Sequence, residues 1–126
     1  MLKYEIKAMQ GKRIVPVVVF EDESYSLLNE FLLAERSFRR ELLSLVNEVD
    51  LNMSQSESFS GNAFSLKIGK NTCKITNDTD GRELEVATAD FKQVLLDYIY
   101  AIREIKVKEK MASLGHHHDH DHHHHH

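Results

Sequence analysis

The chain has 126 residues, 41% of them hydrophobic, one cysteine and a formal net charge of −4. A single cysteine excludes an internal disulfide, and no apolar run reaches the roughly 20 residues of a bilayer span. The stretch MASLGHHHDHDHHHHH, residues 111–126, holds every histidine and reads as an expression tag with its linker. Removing its Asp119 and Asp121 from the 20 acidic residues leaves 18 against 16 basic ones, a net charge of −2 over residues 1–110. That stretch is the size of one domain with one core. A slightly acidic chain has no bulk attraction for nucleic acid.

Leu2, Tyr4, Ile6 and Ala8 alternate with Lys3, Glu5 and Lys7, the pattern of a half-buried strand. The run starts charged and alternating, unlike a signal peptide, and together with the lone thiol this points to the cytoplasm. Gln10 and Gly11 suit a tight turn, with Gly11 at positive φ. Arg13 to Glu21, RIVPVVVFE, is apolar on both sides and reads as a second strand of a hairpin, covered on both faces. Pro16 lacks an N–H, so one side of its ladder is expected to be unpaired there.

Asp22, Glu23 and Ser24 supply a cap and first-turn acids for a helix over Tyr25 to Val49. Its apolar stripe includes Leu28, Phe31, Leu32, Leu42, Val46 and Val49, with Glu35 interrupting it. Glu35 is expected at an edge, reaching solvent; a buried, partnered carboxylate is the alternative. Arg36, Arg39 and Arg40 lie opposite the stripe. They read as a solvated surface beside Glu41 and Glu48, with a small phosphate-binding patch as the alternative. Asp50 to Asn62 is polar and Ser-rich, and is expected to be loop.

Three short strands follow. Phe64, Leu66 and Ile68 alternate with polar residues; Cys73 and Ile75 point inward from Thr72 to Asn77; Leu84 and Val86 mark the third. Asn77 to Gly81 is a turn. The last helix opens at Thr88 as N-cap and runs over Ala89 to Val107, burying Phe91, Val94, Tyr98 and Ile102. The order ββαβββα predicts an α+β fold: an antiparallel sheet of about five strands with two main helices packed on it.

Candidate chemistry is sparse. The absence of histidine before the tag removes Ser-His-Asp and Cys-His arrangements and the commonest zinc ligand. Cys73 is expected to be a buried structural thiol, and Asp78, Asp80 and Glu83 do not fit a calcium-loop spacing. No phosphate loop or dinucleotide fingerprint occurs. No catalytic residue, metal or cofactor is therefore expected. What remains is surface. Leu96 and Tyr100, with Arg103 beside them, form an apolar pair off the main stripe of the last helix. They are a candidate partner face, unless the helix is sandwiched on both sides. Glu83 and Glu85, with Glu21 and Glu23, read as a solvated acidic rim, with contact to a basic partner as the alternative.

The strand–turn–strand KIGKNTCKITND, a short strand, and then ATADFKQVLLDYI together resemble the C-terminal half of small bacterial immunity proteins. The resemblance covers Ala63 to Ile102. Such proteins neutralise the toxin domains of contact-dependent or polymorphic toxin systems. The resemblance implies a non-catalytic binding protein whose partner is a cognate toxin domain, in many cases a nuclease. It assigns no functional residue. The alternative is a small structural or regulatory interaction module, such as a homodimer.

Overall fold

A computed structural model describes residues 1–124, with side chains described through Leu114. The histidine-rich part of the tag expected from the sequence lies outside the residues whose side chains are described.

The chain is α+β, as expected. Strands β1 (Tyr4–Gln10) and β2 (Ile14–Phe20) form one antiparallel hairpin. Helices α1 (Ser26–Glu35) and α2 (Arg39–Asp50) follow, then strands β3 (Glu57–Ser60), β4 (Phe64–Ile68), β5 (Thr72–Asn77) and β6 (Glu83–Ala87), and finally α3 (Thr88–His124). The strands do not merge into the single sheet expected. The hairpin stands apart from a four-stranded antiparallel sheet ordered β3-β4-β5-β6. Helices α1 and α3 each touch both: α1 packs on β2 and on β4 to β6, and α3 on β1, β2, β5 and β6. A helical layer thus separates the two sheets, and α2 closes it by packing on α3, β3 and β4.

The hairpin register pairs Tyr4 with Phe20, Ile6 with Val18 and Ala8 with Pro16 on its inner face. The outer face carries Val15, Val17 and Val19, and Val19 is exposed, so β2 is not covered on both sides as its composition suggests. Side chains of alternate residues point to opposite faces, and only one face of the hairpin meets a helix. The Pro16 expectation holds. The Glu21 N–H bonds back to the Lys3 carbonyl, whereas the Val18 N–H points away from β1 to Asn29 Oδ1 at 2.8 Å. The backbone N–H groups of even-numbered residues of β2 therefore point away from β1, and the missing N–H of Pro16 costs no ladder bond. The β1–β2 connection does not use positive φ at Gly11; its N–H donates to the Arg13 carbonyl instead.

The inner face of the larger sheet is mainly apolar, with Asn77 and Glu57 at its ends. Phe59 faces Leu66, Leu66 faces Ile75, and Cys73 faces Val86, all buried. Phe31 of α1 sits at the centre, with ring centroids 6.3 Å from Phe59, 5.7 Å from Phe64 and 6.0 Å from Phe91. The first two pairs are edge-to-face, the arrangement ring quadrupoles favour. One side chain so joins α1, β3, β4 and α3. The Asn77–Gly81 turn forms as expected: Asn77 Oδ1 accepts the Thr79 N–H, and Gly81 takes φ +77°.

Two departures matter for function. The helix expected over Tyr25 to Val49 is broken. A 3₁₀ turn at Arg36–Phe38 separates α1 from α2, and another, capped by Asp22, precedes α1. Three residues at 120° each, instead of about 100°, rotate the following stripe by about 60°. That lets Leu42, Val46 and Val49 face the core while Arg36 and Arg39 turn another way. The second departure is β3, an edge strand inside the stretch expected to be loop. Its one buried residue, Phe59, offers too short an alternation to be read from sequence.

Candidate functional site

Groups with reactive potential come first. Cys73 is fully buried, and burial pushes its thiol above the ordinary range. Its Sγ lies 3.5 Å from Thr88 Oγ1. Thr88 begins α3 but does not serve as the expected side-chain cap. Its hydroxyl donates to the Gly69 carbonyl at 2.6 Å and its N–H to the Asn71 carbonyl, which ties the helix start to the β4–β5 turn.

Glu35 overturns its expectation. It is fully buried rather than at a solvent edge. Its carboxylate accepts the backbone N–H groups of Asn62 at 2.7 Å, Ala63 at 2.8 Å and Phe64 at 3.0 Å. The last residue of α1 thereby holds the β3–β4 turn. A buried carboxylate is tolerable where charge-assisted hydrogen bonds replace its water. Gly61 completes the seat, because a Cβ there would collide with the Glu35 carboxylate. Its place within the apolar stripe hints at burial, but nothing in the helix identifies its partners, which lie 27 to 29 residues away.

Tyr98 reaches through the helical layer to donate its hydroxyl to the Pro16 carbonyl at 3.0 Å. Burial pushes this phenol up to about 12, with Arg36 and Arg39 acting in the opposite direction. Those two guanidiniums therefore lie on the Tyr98 side of the molecule, at a cleft of about 500 Å³. The cleft runs along the edge of β2 away from β1. Its walls are the 3₁₀ turn between α1 and α2 and the far part of α3. Arg13, Arg36, Arg39 and Lys106 bring positive charge, and Glu109 is its one carboxylate among the described residues. Ile14, Pro16, Leu33, Ile102 and Ile105 supply apolar surface. A neighbouring hollow shares Arg39, Ile102 and Lys106 and adds Arg40 and Arg103.

Four cations elsewhere are paired among the described residues. Arg82 bonds Glu30 through two nitrogens, at 3.0 and 2.8 Å, and Asp80 at 2.7 Å. Lys92 meets Asp50, Lys74 meets Glu83 and Lys7 meets Glu5. None of Arg13, Arg36, Arg39, Arg40, Arg103 or Lys106 makes an ion pair among the described residues. Arg36 and Arg39 each spend one nitrogen on a backbone carbonyl three residues earlier. The three helical arginines, expected to form a solvated surface, are so joined by two side chains from α3 and one from the hairpin.

The candidate partner residues fall into two groups that the fold keeps apart. Leu96 and Tyr100 are 37% and 62% exposed, and Arg103 is exposed on the same helix. Val107, 56% exposed, continues the stripe. The sandwich covers two sides of α3 and leaves this third side open. Glu83 and Glu85 lie on the outer face of the larger sheet, opposite Thr76 and Lys74 in register. The helices pack on the inner face, so these two carboxylates do not join the α3 stripe. Glu83 is moreover paired with Lys74 at 3.3 Å.

Among the described residues no helix is long and apolar enough to cross a membrane, and no three His, Cys, Asp or Glu side chains converge as a metal site would require. No family model, curated protein or solved structure matches the chain.

Proposed function

We propose that this chain is a non-catalytic binding protein: an immunity protein that neutralises a cognate bacterial toxin domain by direct contact. The observation that carries the reading is the open side of α3, where Leu96, Tyr100 and Val107 stay exposed at spacings of four and seven residues. Three large apolar side chains in one stripe, next to Arg103, have the composition of an interface core: aromatic and Arg anchors amid apolar surface. The engagement of the reactive groups supports it further. The Cys73 thiol is sealed in the core, and both Glu35 oxygens are committed to backbone amides. Proteins that act by contact need an accessible surface and a rigid scaffold, and the helical layer between two sheets supplies both.

The test is co-expression with the protein encoded immediately upstream. The expected result is growth arrest by that neighbour alone and restored growth when this chain is present. A harmless neighbour, or a toxic one that this chain does not restrain, refutes the reading. A second reading draws on the same stripe, whose heptad-like spacing also suits pairing with a second copy. A concentration-dependent dimer that Tyr100→Ala abolishes supports that homodimeric module instead.

A further inference from the structure

We propose that the cleft beside β2 receives an acidic, partly apolar segment of a partner protein. The inference rests on the binding reading above and adds a second contact surface with its own chemistry. Arg13, Arg36, Arg39 and Lys106 face the same space without an ionic partner among the described residues, against the single carboxylate of Glu109. Four positive side chains against one carboxylate make a local excess on a stretch, residues 1–110, whose net charge is −2. Such a focus raises the encounter rate with an acidic ligand and sets its orientation.

The floor decides between kinds of polyanion. Ile14, Pro16, Leu33, Ile102 and Ile105 are apolar, and no aromatic ring among the described residues lines the cleft. Single-stranded nucleic acid gains much of its sequence-tolerant affinity by stacking bases on aromatic rings, and none is offered here. A peptide carrying both carboxylates and aliphatic side chains matches both halves of the lining. The arrangement is also held in place. The 3₁₀ turn that presents Arg36 and Arg39 follows directly on Glu35, which is anchored by three backbone N–H groups. Tyr98 fixes the β2 edge from beneath through the Pro16 carbonyl.

The experiment is fluorescence anisotropy of the full chain with three labelled probes of equal charge: a mixed glutamate–leucine peptide, polyglutamate, and oligothymidylate. The mixed peptide is expected to bind tightest, and to weaken as salt is raised. Arg36→Glu combined with Arg39→Glu should weaken it about tenfold or more. Arg13→Glu combined with Lys106→Glu should do likewise. Both of those residues are exposed, so this pair tests the cleft even if the arginine pair perturbs folding. Lys67→Glu, a charge reversal on the outer face of the larger sheet, should leave peptide binding nearly unchanged, because that side chain lies outside the cleft. Tightest binding of oligothymidylate would assign the cleft to nucleic acid and overturn the proposal. Equal binding of the two peptides would show the apolar floor to be idle and would overturn it as well. So would an affinity indifferent to both charge reversals, or no binding at all. None of these outcomes touches the co-expression result, so the cleft and the binding reading fail separately.

Discussion

Glu35 shows how one residue can organise a region. A carboxylate taken out of water is costly unless its charge is met, and here three backbone N–H groups meet it. Glu35→Ala leaves those three donors unanswered in the interior, and should destabilise the chain by at least about 3 kcal/mol in denaturant titration. Glu35→Gln keeps an acceptor and should cost less. Equal stability of Glu35→Ala and the parent would mean that water or another group takes over the turn. Tyr98 gives a pH signature. Its folded value is raised to about 12 against an ordinary 10.0, so the fold favours the neutral phenol. That contribution is fully present below pH 10 and is lost as pH rises towards 12. Tyr98→Phe should cost about 1 kcal/mol at neutral pH for the lost bond to Pro16, and should flatten the alkaline fall in stability. An unchanged alkaline limb would assign the fall to other groups.

At the scale of elements, the start and core face of α3 are the parts best written in the sequence, whereas its end is not, since α3 continues past the expected Val107 to His124. Phe91, Val94, Tyr98 and Ile102 recur at helical spacing and are buried as that spacing predicts. The hairpin and strands β4 to β6 are legible for the same reason, because their alternation is long enough to define a face. The break between α1 and α2 is not. Leu33 to Arg39 contains no Pro or Gly, so local propensity favours one continuous helix. The break goes with tertiary contacts: Glu35 bonds a turn 27 residues on, and α2 reorients onto β3 and β4. The cationic cleft is illegible too, because Arg13 and Lys106 reach Arg36 and Arg39 only through the fold. Truncations within α3 separate core from surface. Phe91→Ala should cost about 3–5 kcal/mol, since the ring is fully enclosed and contacts Phe31. Tyr100→Ala should shift stability by less than about 0.5 kcal/mol, and Leu96→Ala, at a side chain only 37% exposed, by about 1 kcal/mol. A large loss at Tyr100 would mean that its ring packs against the body of the protein.

At the scale of the molecule, the two sheets enclose the helices on two sides and leave the rest of the helical layer to meet solvent. Both candidate surfaces arise there: the apolar stripe of α3, and the cleft where α3 passes the α1–α2 junction and β2. Arg103 and Lys106, three residues apart on α3, bring the two close together. A partner that used both would place apolar anchors against Leu96 and Tyr100 and acidic groups towards the arginines. The most direct measurement is calorimetric titration of the purified chain with the purified upstream-encoded protein. A saturable one-to-one complex is expected. Tyr100→Ala should weaken it by about 1 kcal/mol or more with an unchanged unfolding temperature. Absence of binding, or binding indifferent to Tyr100→Ala and to reversal of the cleft charges alike, would contradict direct neutralisation through these surfaces.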